Sequence, residues 1–87
     1  FLLVARLLSA VRAAPQGRVV VVSSSALGWA DPAGIEWDNL SGAGGYDPQR
    51  AYGQSKLANA LFALELARRL EGSAATANAL HPGYVDT

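Results

Sequence analysis

Cysteine and methionine are both absent from this 87-residue sequence, and histidine occurs only once. Without cysteine the chain can form neither a disulfide framework nor a thiolate metal site. His81 has no second histidine with which to share a metal ion, so we expect no metal site of any kind. The absence of cysteine also favours a cytoplasmic protein.

An excess of charge of either sign is also missing. The 7 basic and 7 acidic residues give a formal net charge of zero, and Arg68-Arg69 is the only adjacent basic pair. We therefore expect neither nucleic acid nor an anionic membrane surface as a partner. The apolar stretch 1–11 is shorter than the ~20 residues needed to cross a bilayer, so we expect a buried helix and no membrane segment.

The ends of the sequence lack the features of a complete domain. It begins at Phe1 inside an apolar run and stops at Thr87 soon after a Pro-Gly turn. Its apolar fraction of 51% predicts a folded core, but domains usually reach ~100–200 residues. We therefore expect an internal fragment of one larger domain, and we expect it to fold poorly alone.

The order of the predicted elements indicates an α/β protein. Apolar periodicity and breaker residues predict a helix, a strand, a long irregular loop, a helix and a strand, over 1–14, 18–24, 25–47, 48–71 and 75–80. Alternating helices and strands favour a parallel sheet. Four consecutive valines at 19–22 show no polar alternation, which is typical of a central strand covered on both faces.

The helix predicted over 48–71 has the clearest boundaries and the broadest apolar surface. Asp47 suits the N-cap, Pro48 the first helical position and Gly72 the end. The apolar side chains extend around more than one face, so we expect the helix to pack on two sides. One side would contact the sheet, and the other would form a homodimer interface.

A glycine cluster at 41–45 has the composition of a phosphate-binding turn. A G-x-G-x-x-G match that started at Gly42 would need glycine at position 47, where the sequence has Asp47. No predicted strand leads into the cluster either. We therefore expect a flexible loop without phosphate-binding function.

Tyr52 and Lys56 are the residues best suited to proton transfer. Their separation of four residues places both on one helix face, about 5–6 Å apart at Cβ. A nearby ammonium favours the phenolate, and such a tyrosine can exchange a proton with a substrate oxygen. The same pair is also common on solvated helix faces, so the spacing alone leaves both interpretations open.

Other polar residues follow the two predicted strands. Ser23, Ser24 and Ser25 come directly after the valines, where a hydroxyl can donate to a substrate carbonyl or simply end the strand. His81 follows the second strand, as a general base or as a structural, partly buried histidine. Ligands of open α/β sheets bind beyond the carboxyl ends of the strands, which supports a site at this edge.

Three ordered motifs together resemble the short-chain dehydrogenase/reductase family. Residues 17–24 resemble the family strand that ends in a catalytic serine, and 52–56 its Y-x-x-x-K motif. Residues 81–87 resemble the P-G motif beside the nicotinamide. The segments 35–40, 55–62 and 65–70 resemble the retinol-dehydrogenase-like branch, which also has a long insertion between serine and tyrosine.

The resemblance implies a catalytic-half fragment, residues 1–87, of a Rossmann-type domain with a doubly wound parallel sheet. Tyr52 would be the general acid/base, Lys56 would favour its phenolate and bind the cofactor ribose, and Ser24 would hold the substrate oxygen. Ser23 or Ser25 could replace Ser24 in that role. Besides Tyr52 and Lys56, the residues bordering NAD or NADP would be Pro82, Gly83, Val85 and Thr87.

The activity implied is reversible hydride transfer between a nicotinamide and a small-molecule alcohol or carbonyl. The family's glycine-rich phosphate turn should precede Phe1, so we expect this fragment alone to be inactive. Two alternatives remain. One is a non-catalytic family member that serves binding or assembly, and the other is a nucleotide-sugar epimerase-like relative with the same Y-x-x-x-K chemistry.

Overall fold

The computed structural model describes residues 1–83, which form two helices and two strands in the predicted order. The elements are α1 (Leu2–Ala13), β1 (Arg18–Val22), α2 (Pro48–Arg69) and β2 (Thr76–Leu80). The α/β fold class predicted from the sequence is thereby confirmed. The long loop between β1 and α2 contains two short 3-10 helices, Ser25–Trp29 and Trp37–Asn39, and its other residues form turns and irregular backbone, in agreement with the prediction of little regular structure there.

The two strands pair in parallel, as the alternating elements predicted. Arg18 lies opposite Thr76 and Val22 opposite Leu80, with α2 forming part of the crossover. The ladder continues one residue further, where the Ser23 N–H donates to the Leu80 carbonyl at 2.8 Å. Because the strands are parallel, both carboxyl ends reach the same edge of the sheet.

The two faces of β1 differ in burial. Val19 and Val21 are half-buried, whereas Val20 and Val22 remain 57% and 52% exposed. The prediction that both faces are covered is therefore wrong for the described part of the chain. The reason is that both helices pack on the half-buried face of β1, and no element of residues 1–83 covers the opposite face.

The core lies between α2 and the sheet. Leu66 and Leu70 from the end of α2 pack with Ala75 and Ala77 from the second strand region. The small alanines allow the helix to approach the strand closely. Three side chains of α1 pack against this cluster from outside, namely Val4, Leu8 and Val11.

Helix α2 begins where the sequence predicted. The Asp47 side chain accepts a hydrogen bond of 3.0 Å from the Gln49 N–H, and Pro48 occupies the first turn. The helix ends at Arg69, two residues before the predicted boundary, and Gly72 follows with a φ of 84°. Only glycine adopts this backbone conformation readily, which explains why the chain turns there towards β2.

The glycine cluster is organised by one side chain. Asn39 Oδ1 accepts a hydrogen bond from the Gly44 N–H, and Asn39 Nδ2 donates to the Gly45 carbonyl, both at 2.8 Å. The Gly44 N–H group, which a phosphate would need, is therefore already used within the loop. Neither helix of the described residues is both long and apolar enough to cross a membrane.

Candidate active site

A cavity of about 500 Å³ opens beyond the carboxyl ends of the two strands. Its wall includes every predicted site residue that the structure describes, namely Ser24, Tyr52, Lys56, Pro82 and Gly83. Val85 and Thr87, predicted to border the cofactor, lie outside the described residues. The structure thus brings three separate sequence motifs to one concave surface, in the position where open α/β sheets bind ligands.

Tyr52 and Lys56 lie one helical turn apart near the start of α2. The Lys56 Nζ is 5.4 Å from the centre of the Tyr52 ring, within the range of a cation–π contact. Tyr52 is exposed to the cavity, whereas Lys56 is half-buried. The pair therefore presents a phenol to a bound molecule, with the only lysine of the sequence held beside it.

The three consecutive serines make different contacts. Ser23 is only 6% exposed, and its hydroxyl donates to the Lys56 carbonyl at 2.8 Å. Ser24 Oγ accepts from the Ala26 N–H at 3.1 Å, which leaves its own proton to donate. Ser25 is exposed and uses its main-chain N–H in a hydrogen bond. Ser24 therefore keeps a hydroxyl proton that it can donate to another group in the cavity.

His81 connects the two strand ends. Its Nδ1 accepts a hydrogen bond of 3.2 Å from the Ser25 N–H, so this nitrogen carries no proton in the contact. The bond agrees with the structural role considered for this histidine, although the side chain is exposed rather than partly buried. The hydrogen bond joins the two strand ends in the wall of the cavity, because Ser25 follows β1 and His81 follows β2.

The first 3-10 helix, Ser25–Trp29, packs directly on α2 beside Tyr52. The contact occurs at Gly53, where an added Cβ would lie 2.6 Å from Ala30 N and 2.7 Å from Ala26 O. The Trp29 ring consequently lies 6.4 Å from the Tyr52 ring, tilted by 50°. Our sequence reasoning missed both residues, and the only available signals were a tryptophan shortly after Ser24 and a glycine directly after Tyr52.

The remainder of the long loop is attached to the same helix through Glu36. Its carboxylate forms an ion pair of 2.9 Å with Arg50, and its main-chain N–H donates to Gln54 Oε1 at 2.6 Å. Arg50 and Gln54 lie on either side of Tyr52 along α2. The loop is therefore attached to α2 at two points, two residues before Tyr52 and two residues after it.

Further along α2, Glu65 forms ion pairs with Arg68 and Arg69, at 2.7 and 2.9 Å. Hydrogen bonds from these two guanidinium groups lower the pKa of Glu65 to about 2. The same carboxylate raises the pKa of Arg68. None of these three residues lines the cavity, and all three side chains are exposed near the end of the helix.

Metal ligands are not clustered in this structure. Across residues 1–83, no group of three His, Asp or Glu side chains is arranged to hold a metal ion.

Comparison with known proteins identifies similar sequences along the whole chain. This chain is 46% identical to retinol dehydrogenase 14 of Homo sapiens over 87 residues, which are all of this chain and 25% of that protein. Human retinol dehydrogenase 13 is 43% identical over 89 aligned residues, with 26% of its length covered. The chloroplastic short-chain dehydrogenase TIC 32 A of Brassica napus is 42% identical over 74 residues, 83% of this chain and 23% of that protein.

The chain thus spans about a quarter of the length of the curated relatives it matches. No family model matches the chain. No solved structure matches it either. The two retinol dehydrogenases nevertheless align over the whole chain, including the strand-end serines, the Tyr52–Lys56 helix and the His81 turn. In agreement with the resemblance, the chain belongs to the short-chain dehydrogenase/reductase family, in its retinol-dehydrogenase-like branch.

Proposed function

We propose that the protein containing this chain is an NAD(P)-dependent oxidoreductase that interconverts an alcohol and a carbonyl compound. The observation that carries the proposal is the grouping of Ser24, Tyr52 and Lys56 in the wall of one cavity. A hydrogen-bond donor, a proton-transfer group and a fixed cation beside a single space are the parts that carbonyl reduction requires. The names of the relatives support the same class of reaction.

The cavity wall fits a nicotinamide cofactor. It lies beyond the carboxyl ends of parallel strands, where dinucleotides bind in open α/β sheets. Lys56 and Tyr52 would contact the ribose hydroxyls, and the Pro82-Gly83 turn would lie beside the nicotinamide. When bound, the cofactor supplies or accepts the hydride.

The side chains of the cavity would then move the proton. In the reducing direction, the Ser24 hydroxyl donates a hydrogen bond to the carbonyl oxygen and holds it next to Tyr52. The Tyr52 hydroxyl transfers its proton to that oxygen as the carbonyl carbon gains the hydride, which yields the alcohol. The phenolate left behind lies beside the Lys56 ammonium, and in the oxidising direction the same phenolate takes the proton from the alcohol.

The test uses the full-length protein and a panel of retinoid, steroid and aliphatic alcohols and carbonyls, with NAD(H) and NADP(H) compared. We expect cofactor-dependent turnover, which Tyr52→Phe abolishes while cofactor binding persists. Tyr46→Phe is the matched control, because Tyr46 is exposed and lies outside the cavity wall. Equal activity of the native protein and Tyr52→Phe would show that the assignment of Tyr52 is wrong.

Cofactor binding without turnover of any substrate would instead favour the non-catalytic alternative, a binding or assembly module of the same fold.

Two further proposals concern the whole protein. Leu61 and Leu64 are exposed on α2, which supports a homodimer through this helix. A monomer in size-exclusion chromatography would contradict it. The cytoplasmic location also stays a prediction, and localisation of a fluorescent fusion would test it.

A further inference from the structure

The most specific contact near the cavity joins two residues for which the proposed mechanism has no role. Gly53 is buried on α2 immediately after Tyr52, and Trp29 ends the 3-10 helix that follows Ser24. We propose that Gly53 is a positioning residue that seats this 3-10 helix on α2, so that the Trp29 indole forms an apolar wall of the substrate site. The wall would select substrates that carry a planar apolar group next to the reacting carbon.

The role of Gly53 follows from the absence of space around it. A Cβ at this position would lie 2.6 Å from Ala30 N, 2.7 Å from Ala26 O and 2.8 Å from the Trp29 carbonyl carbon. All three atoms belong to the main chain, so a side-chain rotation cannot relieve the overlap. Any residue larger than glycine must therefore push the 3-10 helix away from α2.

The 3-10 helix cannot move without affecting the cavity. Ala26 is buried in the contact, and its N–H is held by the Ser24 hydroxyl at 3.1 Å. Trp29 is attached to the other end and faces Tyr52 at 6.4 Å between ring centres. A displacement at Gly53 therefore changes the distance of both Ser24 and Trp29 from the catalytic tyrosine.

The environment of Trp29 explains why it would contact a substrate. The indole is 54% exposed, yet it lines the same cavity as Ser24, Tyr52 and Lys56. An exposed aromatic ring in a concave wall with a few polar groups is the usual composition of a small-molecule site. Its ring offers a flat apolar surface, and aromatic groups pack on such a surface with offset or tilted geometry.

The proposal rests on the proposed function, and its test separates the two. In the full-length protein, cinnamaldehyde serves as the planar probe and propanal as the small aliphatic probe. We expect Trp29→Ala to lower the ratio of kcat/KM for cinnamaldehyde over propanal by about tenfold, mainly through KM, since lost aromatic packing weakens binding by this order. An unchanged ratio would overturn the role of Trp29 and leave the proposed function intact.

The positioning role of Gly53 is tested with Gly53→Ala against Gly28→Ala. Gly28 lies in the same 3-10 helix, and nothing lies within 4 Å of its added Cβ, so it is the matched control. Since a displacement of about 1 Å can cost ~100-fold in rate, we expect Gly53→Ala to lower kcat/KM by about 10–100-fold and Gly28→Ala to retain it. Similar losses in both variants would overturn the proposal.

A second readout does not depend on turnover. The fluorescence of Trp29 is obtained by subtracting the signal of the same variant carrying Trp29→Phe. We expect acrylamide quenching of Trp29 in Gly53→Ala to shift towards the value of free indole, and in Gly28→Ala to match the native protein. An unshifted value in a folded Gly53→Ala protein would overturn the positioning role. A shift in Gly53→Ala, together with no turnover of either aldehyde by the native protein, would retain the positioning role and contradict the substrate wall.

Discussion

The Ser23 hydroxyl donates a hydrogen bond of 2.8 Å to the main-chain carbonyl of Lys56. This bond joins the end of β1 to the middle of the helix that carries the candidate acid/base. It is largely shielded from water, because Ser23 is buried. Among the three consecutive serines, Ser23 therefore has a structural role. Its hydroxyl fixes the distance between the edge of the sheet and Lys56.

Replacement of Ser23 by alanine should destabilise the full-length protein. A typical internal hydrogen bond contributes about 1 kcal/mol to the free energy of unfolding, and we expect a loss of this size in urea denaturation. Ser25→Ala is the control, since Ser25 is exposed and contributes only its main-chain N–H to the hydrogen bond with His81. Equal stabilities of the two variants would contradict the structural role of Ser23.

Replacement of Ser24 by alanine should instead affect catalysis. Loss of one preorganised donor to a developing oxyanion lowers kcat by roughly 100–1000-fold, and we expect a decrease of this order. Ser24→Thr keeps the hydroxyl and should restore a large part of the rate. The measurement is steady-state turnover, beside the unfolding curves of both variants. A Ser24→Ala enzyme with native turnover would return Ser25 to consideration as the substrate-binding serine.

The main-chain N–H of Glu36 should report on the attachment of the long loop. It donates to Gln54 Oε1 at 2.6 Å, so Gln54→Ala removes its acceptor. We expect amide hydrogen exchange at Glu36 to accelerate by about fivefold, as loss of roughly 1 kcal/mol of local stability implies. Gln49→Ala is the control, because Gln49 is exposed at the first turn of α2. Unchanged exchange in Gln54→Ala would show that the loop is held by the Glu36–Arg50 ion pair alone.

Glu65 should make stability depend on pH in the acid range. Its pKa falls from 4.5 to about 2 through hydrogen bonds with Arg68 and Arg69. A carboxylate with a lowered folded-state pKa stabilises the protein above about pH 4.5, and this contribution is lost as the pH falls towards about 2. We expect the stability difference between the native protein and Glu65→Gln to shrink across that window.

The effect should be small, because all three side chains are exposed to solvent. Unfolding curves at pH 7, 4 and 3 measure it, with Glu71→Gln as the control at an exposed position just after α2. In 1 M salt, screening should reduce the difference at pH 7 as well. A difference that stays constant from pH 7 to 3 at low salt would contradict the assigned ion pairs.

Much of this architecture was predictable from the sequence because it depends on local signals. Asp47 and Pro48 mark the start of α2, and the alternation of helix and strand predicts parallel pairing. The convergence of Ser24, Tyr52 and Lys56 follows from the same topology, since parallel strands end at one edge. These features require only that each element is recognised and that the connection between strands crosses over.

The remaining features depend on contacts between distant residues. The burial of Ser23, the lack of space at Gly53 and the anchoring of Glu36 each depend on how the chain after β1 packs on α2. The four valines of β1 misled the prediction for a related reason. Their composition describes a strand suited to cover on both faces, whereas residues 1–83 provide packing on only one.

The hydrogen bond between Ser25 and His81 joins residues 56 positions apart in the chain. Contacts of such long sequence separation form slowly, because the intervening segment must first lose its freedom. During synthesis on the ribosome, the serine side of the cavity would emerge well before its histidine side. Until β2 emerges, the nascent chain would contain helix α2 and the exposed valines of β1 without the strand that pairs with β1. Binding of a chaperone would be most useful during this interval.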